Sequence, residues 1–263
     1  MEAYSEFAQV YDLFMDNIPY DQWCEYLVTL LKKYGVDDGL VLELGCGTGN
    51  ISEALRRKGY DMIGIDNSAE MLSVAIEKSM EVEDDTLPQA LYLCQDMREF
   101  ELYGTVRAIV SICDSMNYIT EPEDLKEVFR LANNYLDPEG VFIFDMNTCY
   151  KYENLLGEQT IAETREDHCF IWDNFYDKDS RLNEYVLNLF IQGDDGRYDR
   201  HEEIHYQRAY DLEQVRQLIE EAGLKWEGAY DAFTMEPVRD DSERIYIIAR
   251  EQGKTEKMKS EVE

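Results

Sequence analysis

From Leu40 onward the chain alternates short apolar runs with stretches of helical periodicity. The run "LVLEL" (40–44) predicts a buried strand, residues 50–58 a helix closed by Gly59, and "MIGI" (62–65) a second strand. Ser68 is placed to cap a helix running to about Ser79, with Glu70 in its first turn. The polar stretch "EVEDDTLPQ" separates it from a third strand, "ALYLC", and "VRAIVSI" makes a fourth. A helix over 121–135 ends at "DPEG", where "VFIFDM" begins a fifth strand. Strands separated by helices predict a doubly wound, parallel α/β sheet. Ahead of it, residues 4–17 and 20–34 read as two helices, the second presenting Trp23, Tyr26, Leu27, Leu30 and Leu31 to a core.

The period shifts from helical to twofold after Met146. Residues 160–177, 181–192 and 197–210 read as three strands, with "GDDG" (193–196) as a hairpin turn, and Tyr185, Leu187, Leu189 and Ile191 share one face. Helical pattern returns at 211–222, capped by Asp211 and closed by Gly223, and strands follow near 225–233 and 244–250. Separated by a short polar loop, these two can pair as a hairpin, which makes seven strands with the last antiparallel. The expected division is therefore 1–149 with 209–250 as one α/β domain, 150–208 as an antiparallel insert covering the strands' carboxyl ends, and 251–263 as a disordered tail.

Charge narrows the choice of partners. With 25 basic against 57 acidic residues the net charge is −32, a field that repels phosphate backbones and anionic lipid, so neither nucleic acid nor a membrane is expected as partner. The six cysteines (24, 46, 94, 113, 149, 169) include no C-x-x-C pair, which fits neither zinc nor a disulfide framework and suits a reducing, cytoplasmic setting. The opening "MEAYSEFAQVYD" lacks the basic and apolar regions of a leader.

The candidate chemistry lies at "ELGCGTG". A glycine turn between strand and helix lets a ligand approach the backbone, and Asp66 at the tip of the second strand can accept both hydroxyls of a ribose. Dinucleotide enzymes share both features, but their fingerprint wants a glycine where this chain has Asn50. Taken as a set, "ELGCGTG", "GID" and "CQDM" resemble the class I S-adenosylmethionine-dependent methyltransferases over about residues 39–148 and the closing helix and strands. That resemblance implies S-adenosyl-L-methionine as cofactor and a Rossmann-like sheet. It implies that Gly45, Cys46 and Gly47 pass under the methionine part and that Glu43 organises that end. Asp66, with Asn67 beside it, would bind the ribose, Asp96 and the Met97 backbone the adenine, and Asp114 in "ICDSMNY" the sulfonium. The N-terminal "YSEFAQVYDLFM" resembles the lid helix of small-molecule members, with Tyr11 closing over the cofactor and Tyr4 and Trp23 as lesser candidates.

The acceptor is the open part. All three histidines (His168, His201, His205) fall in the insert, where His201, Glu203 and His205 share a face. No third ligand is spaced to complete a metal site there, so the readings are polar strand residues or an acceptor pocket in which His205, or Tyr11 from the lid, takes part in proton handling. The leading function is methyl transfer to a nitrogen or oxygen of a small molecule. A non-catalytic S-adenosylmethionine-binding regulator and a nicotinamide-dependent oxidoreductase are the alternatives.

Overall fold

The computed structural model describes residues 8, 11–15, 18–81, 87–193 and 195–254. Of the expected 4–17 helix it therefore shows only α1, Tyr11–Phe14, and Tyr4, residues 82–86 of the polar loop and residues 255–263 of the tail lie outside the described residues.

Five parallel strands form the framework: β1 (Gly39–Leu44), β2 (Tyr60–Asp66), β3 (Leu91–Cys94), β4 (Val106–Ser111) and β5 (Leu136–Asn147). The C-terminal hairpin of β10 (Lys225–Asp231) and β11 (Arg244–Arg250) adds to β5 through β11, giving the order β10-β11-β5-β4-β1-β2-β3. Strand β11 is antiparallel to both its neighbours, so the seven-stranded sheet with its last strand reversed is present.

Each face of the sheet carries its own apolar layer. Leu42, Leu44, Phe142, Phe144 and Ile247 face α5 (Pro122–Tyr135) and α7 (Leu212–Glu221). Val41, Val110, Ile143 and Ile248 face α2 (Tyr20–Lys33) and α3 (Asn50–Arg57). Strands buried on both faces read as continuous apolar runs, which is why "LVLEL" and "VFIFDM" were legible. Helix α4 (Ala69–Met80) starts as its sequence indicates, with Ser68 Oγ accepting from Met71 N at 3.2 Å.

A short α6 (Cys149–Lys151) and a π-helical turn (Tyr152–Leu156) lead into a separate antiparallel sheet, β6-β7-β8-β9. Its strands are β6 (Thr160–Thr164), β7 (His168–Asp177), β8 (Leu182–Gln192) and β9 (Tyr198–Arg208). The inward face carries Leu187 and Leu189 with Phe170, Trp172 and Ile191, packed against Ala8, Tyr11 and Met71.

Four expectations need correction. The stretch 160–177 is two strands, because Arg165 N donates to His168 O at 2.7 Å and folds "TREDH" into a turn without glycine or proline. Strand β5 begins at Leu136; "DPEG" is absorbed as an irregularity that shifts the register between Val106–Leu136 and Ala108–Val141. Asp211 occupies the cap position of α7, yet its carboxylate pairs with Arg181 instead of capping. The start of the tail is ordered, since Glu251 is buried and accepts from Glu139 N and Lys254 N at 3.0 Å each.

Gly64 on β2 faces a crowded wall: a Cβ there would lie 2.7 Å from the Tyr92 ring and 2.9 Å from Cys46 Sγ. Gly64→Ala should therefore destabilise by about 1–3 kcal/mol through overpacking. In a double-mutant cycle monitored by denaturant unfolding, that cost should shrink by half or more in a Tyr92→Ala background. Equal costs in both backgrounds would clear Tyr92 as the obstacle.

Candidate functional site

The carboxyl ends of β1, β2, β4 and β5 open into one cavity of about 610 Å³. Eleven of the residues singled out from sequence line it, Tyr11, Glu43, Gly45, Cys46, Gly47, Asp66, Asn67, Asp96, Met97, Asp114 and His205, whereas His168, His201 and Glu203 do not.

The glycine turn is built by backbone geometry that favours glycine. Gly45, Gly47 and Gly49 have φ of 70°, 52° and 76°. Gly45 N and Cys46 N donate to Ile65 O at 2.8 and 3.0 Å, joining the turn to the end of β2. A Cβ at Gly45 would strike Ser115 Oγ at 2.7 Å, whereas one at Gly47 would meet no protein atom within 4 Å. The space above Gly47 is therefore open, as a ligand cradle requires. Asp66 closes the turn from β2: its two oxygens accept from Gly47 N at 2.8 Å and Ser68 N at 2.9 Å. Burial raises its pKa against these amide bonds.

Glu43 lies beneath the turn, 2 % exposed, its Oε2 accepting from the Ser52 hydroxyl. Burial, reinforced by the nearby Asp66 charge, pushes its pKa up to about 8. At the far side Asp96 is fully engaged: Arg98 N and Nε reach Oδ1 at 2.8 and 3.0 Å, and Nε and Nη2 reach Oδ2 at 3.1 and 2.5 Å. Hydrogen bonds from Arg98 hold the Asp96 pKa down against burial.

The floor loop is strained and braced. Cys113 and Asp114 adopt left-handed backbone, φ 65° and 54°, which non-glycine residues seldom do. Asp145, at the end of β5 and without solvent exposure, accepts from Cys113 N at 3.2 Å and Asp114 N at 2.7 Å. Arg244 from β11 bridges Asp114 at 2.5 Å and Asp145 at 2.6 Å, and its guanidinium lies 5.2 Å from the centre of the Trp23 ring. The other Asp114 oxygen accepts from Gln207 Nε2 at 2.7 Å, and Tyr152 OH donates to Gln207 Oε1 at 2.8 Å. Asp114 is thus no free carboxylate; it ties the floor to β9 of the second sheet.

The roof is the inward face of that sheet. His205 is 3 % exposed, its Nε2 3.1 Å from Glu203 Oε2, its ring stacked on Tyr185 at 5.0 Å and edge-on to Tyr118 at 5.9 Å. It is therefore a buried residue of β9 that lines the cavity. Trp23, a lesser lid candidate, is part of the α2 core layer and also lines the cavity. At the mouth, the Asp12 carboxylate of α1 takes Thr48 Oγ1 at 2.7 Å, Asn50 Nδ2 at 2.9 Å and Lys78 Nζ at 2.8 Å. Burial opposes its charge, but these bonds outweigh it and lower its pKa. Asn50, which broke the dinucleotide pattern, fastens α1 to the glycine turn.

Sequence reading missed Arg244, Gln207, Asp145 and Lys151. Arg244, Gln207 and Asp145 lie far along the chain from their partners, so no local spacing signals them, whereas Lys151 bonds Asn147 within the same turn.

A family model described as "Methyltransferase domain" matches residues 41–140. The chain is 34% identical over 248 residues to YqeM of Bacillus subtilis (strain 168), a protein named as a methyltransferase, covering 94% of this chain and 96% of that one. It resembles the crystal structure of an S-adenosylmethionine-dependent methyltransferase from Clostridium acetobutylicum ATCC 824 with TM-score 0.82 and 29% identity, over 95% of this chain and 99% of that chain. It is also 29% identical over 140 residues to the dTDP-3-amino-3,4,6-trideoxy-alpha-D-glucopyranose N,N-dimethyltransferase of Streptomyces venezuelae, covering 52% of this chain and 56% of that protein.

Glu43 supplies a pH test. Its folded pKa of about 8 lies above its ordinary value of 4.5, so between those pH values the folded state holds a proton that the unfolded state has released. Its contribution to stability therefore falls as pH rises across that window, by up to about 1.4 kcal/mol per pH unit. Glu43→Gln should flatten the decline in denaturation midpoint between pH 5 and 8. Parallel profiles for the two proteins would mean that Glu43 is ionised in the folded state.

Proposed function

The chain belongs to the S-adenosylmethionine-dependent methyltransferases, enzymes that take S-adenosylmethionine as cofactor, and from that premise we propose that it methylates a nitrogen or oxygen of a small molecule held between the glycine turn and the second sheet. The observation that carries this reading is the continuity of the cavity, which has Gly47 and Asp66 at one end and Tyr185 and His205 at the other.

When bound, the cofactor supplies a methyl carbon made electrophilic by its sulfonium. What remains for the protein is alignment and exclusion of water. Gly45, Cys46 and Gly47 would run under the amino-acid end, with Glu43 below. Asp66 and Asn67 would take the ribose hydroxyls; the amides on Asp66 fix its orientation and leave lone pairs on both oxygens. Because Arg98 already uses both Asp96 oxygens, the adenine contact falls mainly to the backbone beside Met97. Asp114 would face the sulfonium as a carboxylate partly neutralised by Arg244. Tyr11 closes the mouth.

Residues 150–208 are read as the acceptor-side insert. His205 would accept the proton lost from the acceptor, with Glu203 fixing its ring. Nitrogen is the acceptor favoured here, because the Streptomyces venezuelae relative is by name an amino-sugar N,N-dimethyltransferase.

Two outcomes follow. S-adenosylmethionine at about a hundred times its Kd should stabilise the fold by about 2.7 kcal/mol, and NAD should not. Asp66→Ala and Gly47→Val should each lose most of that shift, measured by thermal denaturation, the first through a lost charged acceptor and the second through a side chain in the cradle. An undiminished shift in either variant would remove that residue from the site. His205→Ala should leave calorimetric cofactor affinity within about twofold while turnover, on an acceptor found by screening, drops by ~10²–10⁴-fold. Unchanged turnover would leave His205 as a wall residue.

A further inference from the structure

The cavity's charge pattern, taken together with the methyl-transfer reading on which this inference rests, bears on the kind of acceptor. Besides His205, the described residues of its lining hold three basic side chains: Arg98, Arg244 and Lys151. Arg98 is matched by Asp96 at 2.5 Å and Asp124 at 3.4 Å, and Arg244 by Asp114 and Asp145. Lys151 differs. Its Nζ donates to the neutral Asn147 carboxamide at 2.9 Å, and among the described residues no carboxylate oxygen lies within 4.0 Å of it. In a chain with 57 acidic residues against 25 basic ones, Lys151 is the basic group of the described lining that has no carboxylate in ion-pair contact among the described residues.

Lys151 is also held in place. Its backbone N donates to Thr148 Oγ1 at 3.2 Å, and that hydroxyl donates to Ser242 O at 2.5 Å, which fixes the turn between β5 and the second sheet. Burial, and then the Arg244 charge, push its pKa down against the weaker opposing pull of the Asp114, Asp145 and Glu243 carboxylates, so an ammonium here is incompletely compensated until an anion arrives. Trp172, Tyr185 and Phe170 line the same cavity and offer faces for an apolar or ring-shaped body.

We infer that the methyl acceptor carries an anionic group, a carboxylate or a phosphate, that is received by Lys151. Such a charge-assisted contact adds directional affinity, and Lys151 then sets specificity as a binding residue, separate from the proton acceptor.

The test uses full-length protein saturated with S-adenosylhomocysteine and titrated calorimetrically with benzoate, phenyl phosphate and benzamide at matched ionic strength. At least one of the two anions should bind roughly ten- to a hundredfold more tightly than benzamide. Whichever anion wins identifies the group. Lys151→Met should erase the preference and Lys151→Arg should keep it, while both retain wild-type affinity for S-adenosylhomocysteine. If neither anion exceeds benzamide, or Lys151→Met preserves the preference, the inference is overturned. Loss of S-adenosylhomocysteine binding by the wild-type protein would instead count against the methyl-transfer reading itself, so the two failures are told apart.

Discussion

One guanidinium holds the parts of this molecule in register. Arg244, near the start of the reversed strand, spans Asp145 at the end of β5 and Asp114 in the left-handed floor loop. Asp145 in turn caps the two strained amides of that loop, and Asp114 passes the constraint to Gln207 and Tyr152 of the second sheet and its connector. A buried ion pair of this kind is weak evidence of net stability, since desolvation offsets much of the attraction. Its value here is positional. Removing the arginine would leave two carboxylates close together in a dry site, and the floor, the core sheet and the roof would lose their common reference.

That arrangement suits a reaction in which the protein supplies alignment more than chemistry. Asp66 and Asp114 bring carboxylates to the cavity lining, Glu43 stays protonated below about pH 8, and Arg244 offsets the charge of Asp114. The carboxylates are tuned in opposite senses by their surroundings. Burial lifts Glu43 and Asp66, whereas hydrogen bonds from Arg98 hold Asp96 down. Asp12 fastens α1 to the glycine turn and to α4 through polar bonds outside the apolar layers. No helix among the described residues is long and apolar enough to cross a membrane.

Much of the fold and the glycine-turn side of the cavity were legible in the sequence, for local reasons. Doubly buried strands write themselves as apolar runs, and the glycine turn with Asp66 at the next strand's tip is a short-range pattern fixed by backbone geometry. The misreadings share a different cause. The turn at 165–167 uses neither glycine nor proline, so two strands looked like one, and Asp211 resembled a cap until Arg181 claimed its carboxylate. The family resemblance implied Asp96 and Asp114 as ligand contacts, but their protein partners are set by tertiary pairing: Arg98 at one, Arg244 and Gln207 at the other. Lys151 was invisible because what marks it is the lack, among the described residues, of a carboxylate in ion-pair contact, a property no spacing encodes.

The central claim is that cofactor cradle and acceptor wall belong to one chamber. The most direct measurement is a crystal structure of the complex with S-adenosylhomocysteine. Ribose hydroxyls on the Asp66 carboxylate and the open side of the sulfur facing the Tyr185–His205 wall are the expected result. A sulfur turned away from that wall, or a ribose bound elsewhere than at Asp66, would contradict it.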